Sequence, residues 1–463
     1  MNLQEKDRKY LWHPYTQMKD YAHRDLLIID RAQGLMLYDE KGREYFDTIS
    51  SWWCILHGHN HPDIKAAILS QLDRLEQVLL AGTSHEPAIL LAEQLVQCTP
   101  EPLTKVFFSD NGSTACEVAV KMSIQYWRQS GQPKRHKIVA IERGYHGDTI
   151  GTMSLGGVPE FHEAFGSMMF ESHRIPSPYC YRCPMGNEKD SCDLECLVPL
   201  QELLENEGET IAAFILEPLI QAAGGMIVYP GRYLARAVEI VRKFGAHIIF
   251  DEVATGFGRT GRMFAMDHQG VVPDFLCLSK GLTAGALPMA ATLVTEEVYQ
   301  GFYADYSENK TFFHGHTFTG NPLSASAALG SLKVFSREKP FSTMQRTVPH
   351  LKQRMQRFLD LPWVGDFRHL GMIAAIELVK DKQTKKPFDP VDRVGWKIYL
   401  KGLEKGLLLR PLGNIIYLWL PLSTTISEID EITERTWQVL SNPENISGFW
   451  KKPGRGIPTE KRK

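Results

Sequence analysis

Phe275-Leu-Cys-Leu278 is followed at once by Ser279-Lys-Gly281. A short apolar run without alternation suits a strand buried on both faces. Its abrupt polar end puts Ser279 and Lys280 at the strand's carboxyl edge. The same grammar occurs upstream four times. Lys105-Val-Phe-Phe gives way to Ser109-Asp-Asn-Gly-Ser113, and Ile138-Val-Ala-Ile to Glu142-Arg-Gly-Tyr-His-Gly147. Ala213-Phe-Ile-Leu gives way to Glu217-Pro218, and His247-Ile-Ile-Phe to Asp251-Glu252. Helical patterns lie between them. From Thr114 to Gln129, Val118, Ala119, Met122 and Tyr126 share one face. Strands alternating with helices predict an α/β fold with a mostly parallel central sheet. Ligands of such sheets sit off the carboxyl ends of the strands. The polar residues closing the five runs are therefore the first candidates for chemistry.

Outward from this core the pattern changes. The start has strand-like pieces at Leu35–Tyr38 and Glu44–Phe46 around the turn Asp39-Glu-Lys-Gly42. The end mixes helical segments with strands such as Ile415–Leu420. The expected organisation is a large domain over 56–332. A small α+β domain takes 1–55 and 333–450, and a basic tail follows over 451–463. The chain has 463 residues, 52 Lys plus Arg against 54 Asp plus Glu, and 43% apolar residues. That balance suits a folded globular chain and gives no basic excess to drive nucleic-acid binding. No apolar run is long enough for a membrane span, and none follows the first charges as in a secretory signal. A cytoplasmic protein with reduced thiols is expected, with no membrane or nucleic-acid partner.

Lys280 is the centre of the candidate site. A loop lysine is ordinarily a solvated charge. At a strand's edge a partly desolvated one has a lowered pKa and can form a Schiff base with an aldehyde. Asp251 closes a neighbouring run. It suits a helix cap or an ion pair, and equally the protonated ring nitrogen of pyridoxal phosphate. Gly112 and Ser113 precede a helix, where backbone N–H groups bind phosphate, although a plain cap needs the same residues. Tyr145 could stack on a flat cofactor or simply pack. In Phe313-His-Gly-His-Thr-Phe-Thr-Gly-Asn-Pro322, Gly315 allows close backbone approach and Thr317 can bind phosphate. A bare loop reads equally well there.

Ile249-Phe-Asp-Glu-Val-Ala-Thr-Gly-Phe-Gly-Arg-Thr-Gly261 with Ser279-Lys-Gly281 resembles the signature of class III aminotransferases, and the likeness runs through nearly the whole chain. Leu11-Trp-His-Pro-Tyr-Thr-Gln-Met18, Ser50-Ser-Trp-Trp53, Gly144-Tyr-His-Gly-Asp-Thr149 and Arg410-Pro-Leu-Gly413 resemble the biotin-pathway branch. The resemblance implies the fold type I architecture, a pyridoxal 5'-phosphate cofactor and a homodimer with shared sites. It implies a Schiff base on Lys280, Asp251 on the ring nitrogen and Tyr145 on the ring, these three being the catalytic set. Gly112 and Ser113 would hold the phosphate with Thr317 of the partner subunit. Tyr15, Trp52, Trp53, Gly315, Arg410 and Tyr417 would shape the substrate pocket, Arg410 taking a carboxylate. The implied reaction transfers an amino group from S-adenosylmethionine or lysine to 8-amino-7-oxononanoate. Ala254 stands where many class III enzymes have Gln, and His316 where adenosylmethionine users often have Pro. The alternative is a class III enzyme acting on a diamine or ω-amino acid.

Two further patterns remain. Cys180, Cys183, Cys192 and Cys196 are spaced C-x2-C-x8-C-x3-C. Four thiolates can close around zinc, but the spacing is irregular, and free thiols without metal are expected. His57, His59 and His61 would share one face of a strand. No carboxylate or cysteine joins them closely, and no metal is expected there either.

Overall fold

The computed structural model describes residues 1–22, 24–188 and 192–447. The basic tail lies outside them. The five apolar runs become strands of one seven-stranded sheet. Across it stand Leu103–Ser109, Ala290–Thr295, Phe275–Leu278, His247–Asp251, Ile211–Leu216, Lys137–Ile141 and His173–Ile175. Ala290–Thr295 runs antiparallel to both its neighbours, and the remaining pairs are parallel. Every residue of Ile211–Leu216, His247–Asp251 and Phe275–Leu278 is buried, so the missing alternation reflects cover on both faces. Ala290–Thr295 and His173–Ile175 were not among the predicted strands. The first follows Leu287-Pro-Met with no polar break, and the second is a short polar edge.

The helix Gly112–Gln129 packs Val118, Ala119 and Met122 against this sheet. Fully burying a Val or Met side chain contributes about 1.5–3 kcal/mol. The helix starts two residues before the predicted Thr114. The Asn111 side chain accepts from Thr114 N–H at 3.1 Å and closes the first turn.

Both chain ends share a second sheet. Ile29–Gln33, Met36–Asp39 and Glu44–Asp47 lie in order, and Glu44–Asp47 pairs in parallel with Leu407–Leu408. A third sheet joins Val364–Leu370, Ile373–Asp381 and Ile415–Trp419. The loop containing Tyr179 and Arg182 is tied to it, since both side chains donate to the Glu377 carboxylate. No helix among the described residues is long and apolar enough to cross a membrane.

Candidate active site

A cavity of about 370 Å³ opens off the carboxyl ends of the parallel strands. Its wall includes Gly112, Ser113, Tyr145, Glu217, Asp251 and Lys280. Each follows a different one of the five predicted runs, apart from the pair Gly112 and Ser113, which follow one. The sheet thus collects residues up to 168 positions apart in sequence, from Gly112 to Lys280.

Asp251 is buried and held from two sides. One oxygen lies 2.8 Å from His146 Nδ1, and the other accepts from Val253 N–H at 3.0 Å. His146 Nε2 is buried without a partner. Glu217 accepts backbone N–H bonds from Tyr145 at 3.1 Å and Ala222 at 3.0 Å. Burial pushes its pKa up to about 7; Asp251 adds to the rise and His146 opposes it. Lys280 sits in the left-handed region, at φ 34°. The preceding Ser279 hydroxyl anchors the turn on Met289 O at 2.7 Å. Burial lowers the pKa of the Lys280 amine, against Asp251 and Glu217. A lowered amine pKa makes the neutral nucleophile more available.

The other end of the cavity is a phosphate-sized cradle. Asn111 caps Thr114, and the N–H groups of Gly112 and Ser113 have no protein partner among the described residues. These N–H groups carry the positive end of the helix dipole. A Cβ at Gly112 would collide with the Val253 side chain, and one at Gly147 with Ser113. Glycine is needed for these close approaches. A free helix start, an amine and a buried carboxylate around one cavity fit a planar pyridine aldehyde phosphate.

Beyond the cradle, the Tyr15 hydroxyl donates to Asp148 at 2.7 Å and lies 3.4 Å from that of Tyr145. Burial, then Asp148, raises the Tyr15 pKa to about 12, so it remains a neutral donor. The Lys280 amine lies 5.2 Å from the Trp53 ring centre. Trp53 Nε1 donates to the Tyr417 hydroxyl at 3.1 Å. The Arg410 guanidinium lies 4.8 Å from the Trp52 ring centre. No carboxylate lies within salt-bridge reach of Arg410 among the described residues. Of the residues expected to shape the substrate pocket, Trp53 lines the cavity, whereas Tyr15, Trp52, Gly315, Arg410 and Tyr417 do not, nor does Thr317 of the same chain. Thr317 is exposed, its carbonyl accepting from Gln77 Nε2 at 2.8 Å. The neighbouring His316 reaches Asp110, on the cavity wall, at 2.6 Å.

Sequence reasoning gave no role to His146, Val253 or Asp148, and placed Glu217 only as a residue closing an apolar run. Glu217 caps backbone N–H groups from the cavity wall. The strand-end rule already pointed to it. His146 lay inside the quoted Gly144–Gly147 segment, but its contact with Asp251 depends on packing between strands.

The three histidines go to separate partners. His57 reaches Ser331 at 3.1 Å, His59 reaches Asp47 at 2.8 Å and His61 reaches Glu338 at 3.1 Å. Among the described residues, Cys116, His146 and Asp251 form the one set of three potential ligand groups within 4.8 Å of one another. Cys116 is a buried thiol whose pKa Cys277 and burial push well up. Among the described residues the sulfurs of Cys180, Cys183, Cys192 and Cys196 form no such set.

The family model for class-III aminotransferases matches residues 18–440. The chain belongs to this family of pyridoxal-phosphate-dependent enzymes. Two curated relatives share an activity name. The adenosylmethionine-8-amino-7-oxononanoate aminotransferase of Geobacter sulfurreducens is 44% identical over 433 residues, covering 93% of this chain and 96% of that protein. That of Methanocaldococcus jannaschii is 42% identical over 455 residues, covering 96% and 99%. The crystal structure of the M. jannaschii enzyme superposes with a TM-score of 0.90 at 41% identity, over 95% of this chain and 98% of that one. The omega transaminase of Pseudomonas jessenii in complex with PMP gives 0.92 at 33% identity, over 97% and 99%.

Proposed function

We propose that the enzyme moves an amino group onto the ketone of 8-amino-7-oxononanoate, giving 7,8-diaminononanoate. Arg410 carries this reading. It is a cation with no carboxylate in salt-bridge reach among the described residues, and its guanidinium lies 4.8 Å from the Trp52 ring centre. Such a group suits a carboxylate on a long aliphatic chain. The names of the relatives support the same acceptor, and adenosylmethionine as donor. Lysine is the competing donor, and a half-reaction with each amine separates them.

Bound pyridoxal phosphate supplies an aldehyde that takes up the amino group and a ring that accepts the electron pair. The protein's residues do the rest. Gly112 and Ser113 would hold the phosphate by N–H groups and a hydroxyl. Asp251, oriented by His146 and Val253, would keep the ring nitrogen protonated. Lys280 Nζ would remove the proton from the amino-bearing carbon of the donor as general base, and return a proton to the acceptor carbon in the second half. Tyr145 would pack on the ring. Trp53 and Tyr417 exclude water from Lys280.

A second copy completes the site. Thr317 faces outward, between the exposed rings of Phe313 and Phe318 (78% and 64% exposed). Exposed apolar surface of this kind suits a subunit interface. There Thr317 of the partner subunit adds a hydroxyl to the phosphate cradle.

The test is Arg410→Met with two ketones, 8-amino-7-oxononanoate and its analogue lacking the carboxylate. A charge-assisted hydrogen bond contributes about 1.5–3 kcal/mol, so KM for the acid should rise roughly 10- to 100-fold. KM for the analogue should hardly move. Equal losses for both would remove Arg410 from carboxylate recognition.

A further inference from the structure

Ser50, Ser51, Trp52 and Trp53 have φ of 51°, 44°, 73° and 74°. Four successive residues therefore form one turn of left-handed helix, and none is glycine. L-residues avoid this conformation because Cβ crowds the following carbonyl. Such strain persists only where the surroundings over-determine it, and it gathers at ligand sites.

Asp47 is the main clamp. It is 1% exposed. One oxygen accepts from Ser51 N–H at 2.9 Å, and the other from the Ser51 hydroxyl at 2.6 Å. His59 Nε2 lies 2.8 Å from that second oxygen and fixes the carboxylate. The Ser50 hydroxyl donates to Trp419 O at 2.6 Å. Arg259 binds Ile55 O at 3.0 Å just beyond the turn.

The turn decides where two adjacent rings go. Trp53 is buried against Lys280, 5.2 Å from its amine. Trp52 is 39% exposed, 4.8 Å from the Arg410 guanidinium and 5.5 Å edge-on to Tyr15. An extended strand would send neighbouring side chains to opposite faces. The left-handed turn instead serves both the reacting amine and the carboxylate-binding end.

We propose that Asp47, acting through Ser51, is a positioning residue that holds the left-handed turn and so sets the distance between the Lys280 end and the Arg410 end of the substrate site. The identity of the acceptor rests on the function proposed above; the placement of the rings does not. The clamp makes acceptor length a property of backbone geometry.

The test uses holoenzyme of Ser51→Gly and Asp47→Ala. Glycine accepts positive φ without crowding, so Ser51→Gly should keep or raise the thermal midpoint while it loosens the rings. Near-UV circular dichroism of the tryptophans should change with the far-UV spectrum and cofactor absorbance unchanged. KM for 8-amino-7-oxononanoate should rise on the order of tenfold, as small misplacements in a site are costly. Wild-type near-UV spectra and KM in Ser51→Gly would overturn the proposal. So would a loss confined to thermal stability. If Asp47→Ala does not fold, Ser51→Gly decides alone. If wild-type enzyme does not use this ketone, the functional reading fails, while the near-UV comparison still decides the role of the clamp.

Discussion

Lys280 and Asp251 are the residues on which the proposed chemistry turns, and each owes its position on the cavity wall to the strand it closes. Lys280→Ala removes the only amine on the cavity wall among the described residues, and turnover should fall by at least about a thousandfold, since a general base and a Schiff-base amine are lost together. The purified variant should lack the protein-bound cofactor band. Near wild-type turnover in a steady-state assay would contradict the role. Asp251→Asn should still bind cofactor, because the phosphate cradle is untouched, but its first half-reaction should slow by about a hundredfold or more. Stopped-flow absorbance checks this, and an unchanged rate would refute it. Both residues were legible because an apolar run that stops at a charged residue is a visible event. His146 was not, because nothing in its neighbours announces a bond to a residue 105 positions away.

The elements explain how the cradle is built. The helix Gly112–Gln129 starts where Asn111 caps it, and Val253 packs beneath its first residue. Gly112→Ala would force the helix start away from Val253. Cofactor affinity should drop about tenfold or more, read by titration of apoenzyme; unchanged affinity would show that the close approach is unnecessary. The turn after Asp251 is held by Glu252, which accepts from Ala265 N–H at 2.7 Å and Met266 N–H at 2.9 Å. Burial raises its pKa from 4.5 to about 7. A carboxyl whose folded pKa is raised contributes its full stability below its unfolded pKa and loses it as pH rises through the folded one. Glu252→Gln removes that loss. The thermal midpoint of the variant, relative to wild type, should therefore be higher near about pH 8 than near about pH 5. An equal offset at both would contradict a buried charge. The central strands and the helix face could be read because burial on two faces, or on one stripe, leaves its own period in the sequence. The left-handed turn Ser50–Trp53 could not, since its residues carry no glycine signal and the cause lies in Asp47 and Arg259.

The whole molecule is organised so that distant segments meet. The two chain ends share a sheet through Glu44–Asp47 and Leu407–Leu408, which places the Ser50–Trp53 turn beside Ile415–Trp419. No local pattern encodes that meeting; the large-domain runs do encode theirs. If, as proposed, two copies share each site, a prediction follows at this scale. Lys280→Ala and Thr317→Arg should each be inactive alone. Mixed dimers would contain one site built from Lys280 of one copy and Thr317 of the other, both intact. Refolding or subunit exchange of the two should restore activity, and persistent inactivity would contradict a site shared between subunits.

Amino transfer to a carboxylate-bearing ketone can be followed in a single turnover. Holoenzyme is mixed with S-adenosylmethionine, and separately with lysine, while the cofactor absorbance is followed; 8-amino-7-oxononanoate is then added. The account predicts loss of the absorbance with one of the two donors and its return with the ketone. An absorbance that neither donor removes, or that the ketone does not restore, would contradict it.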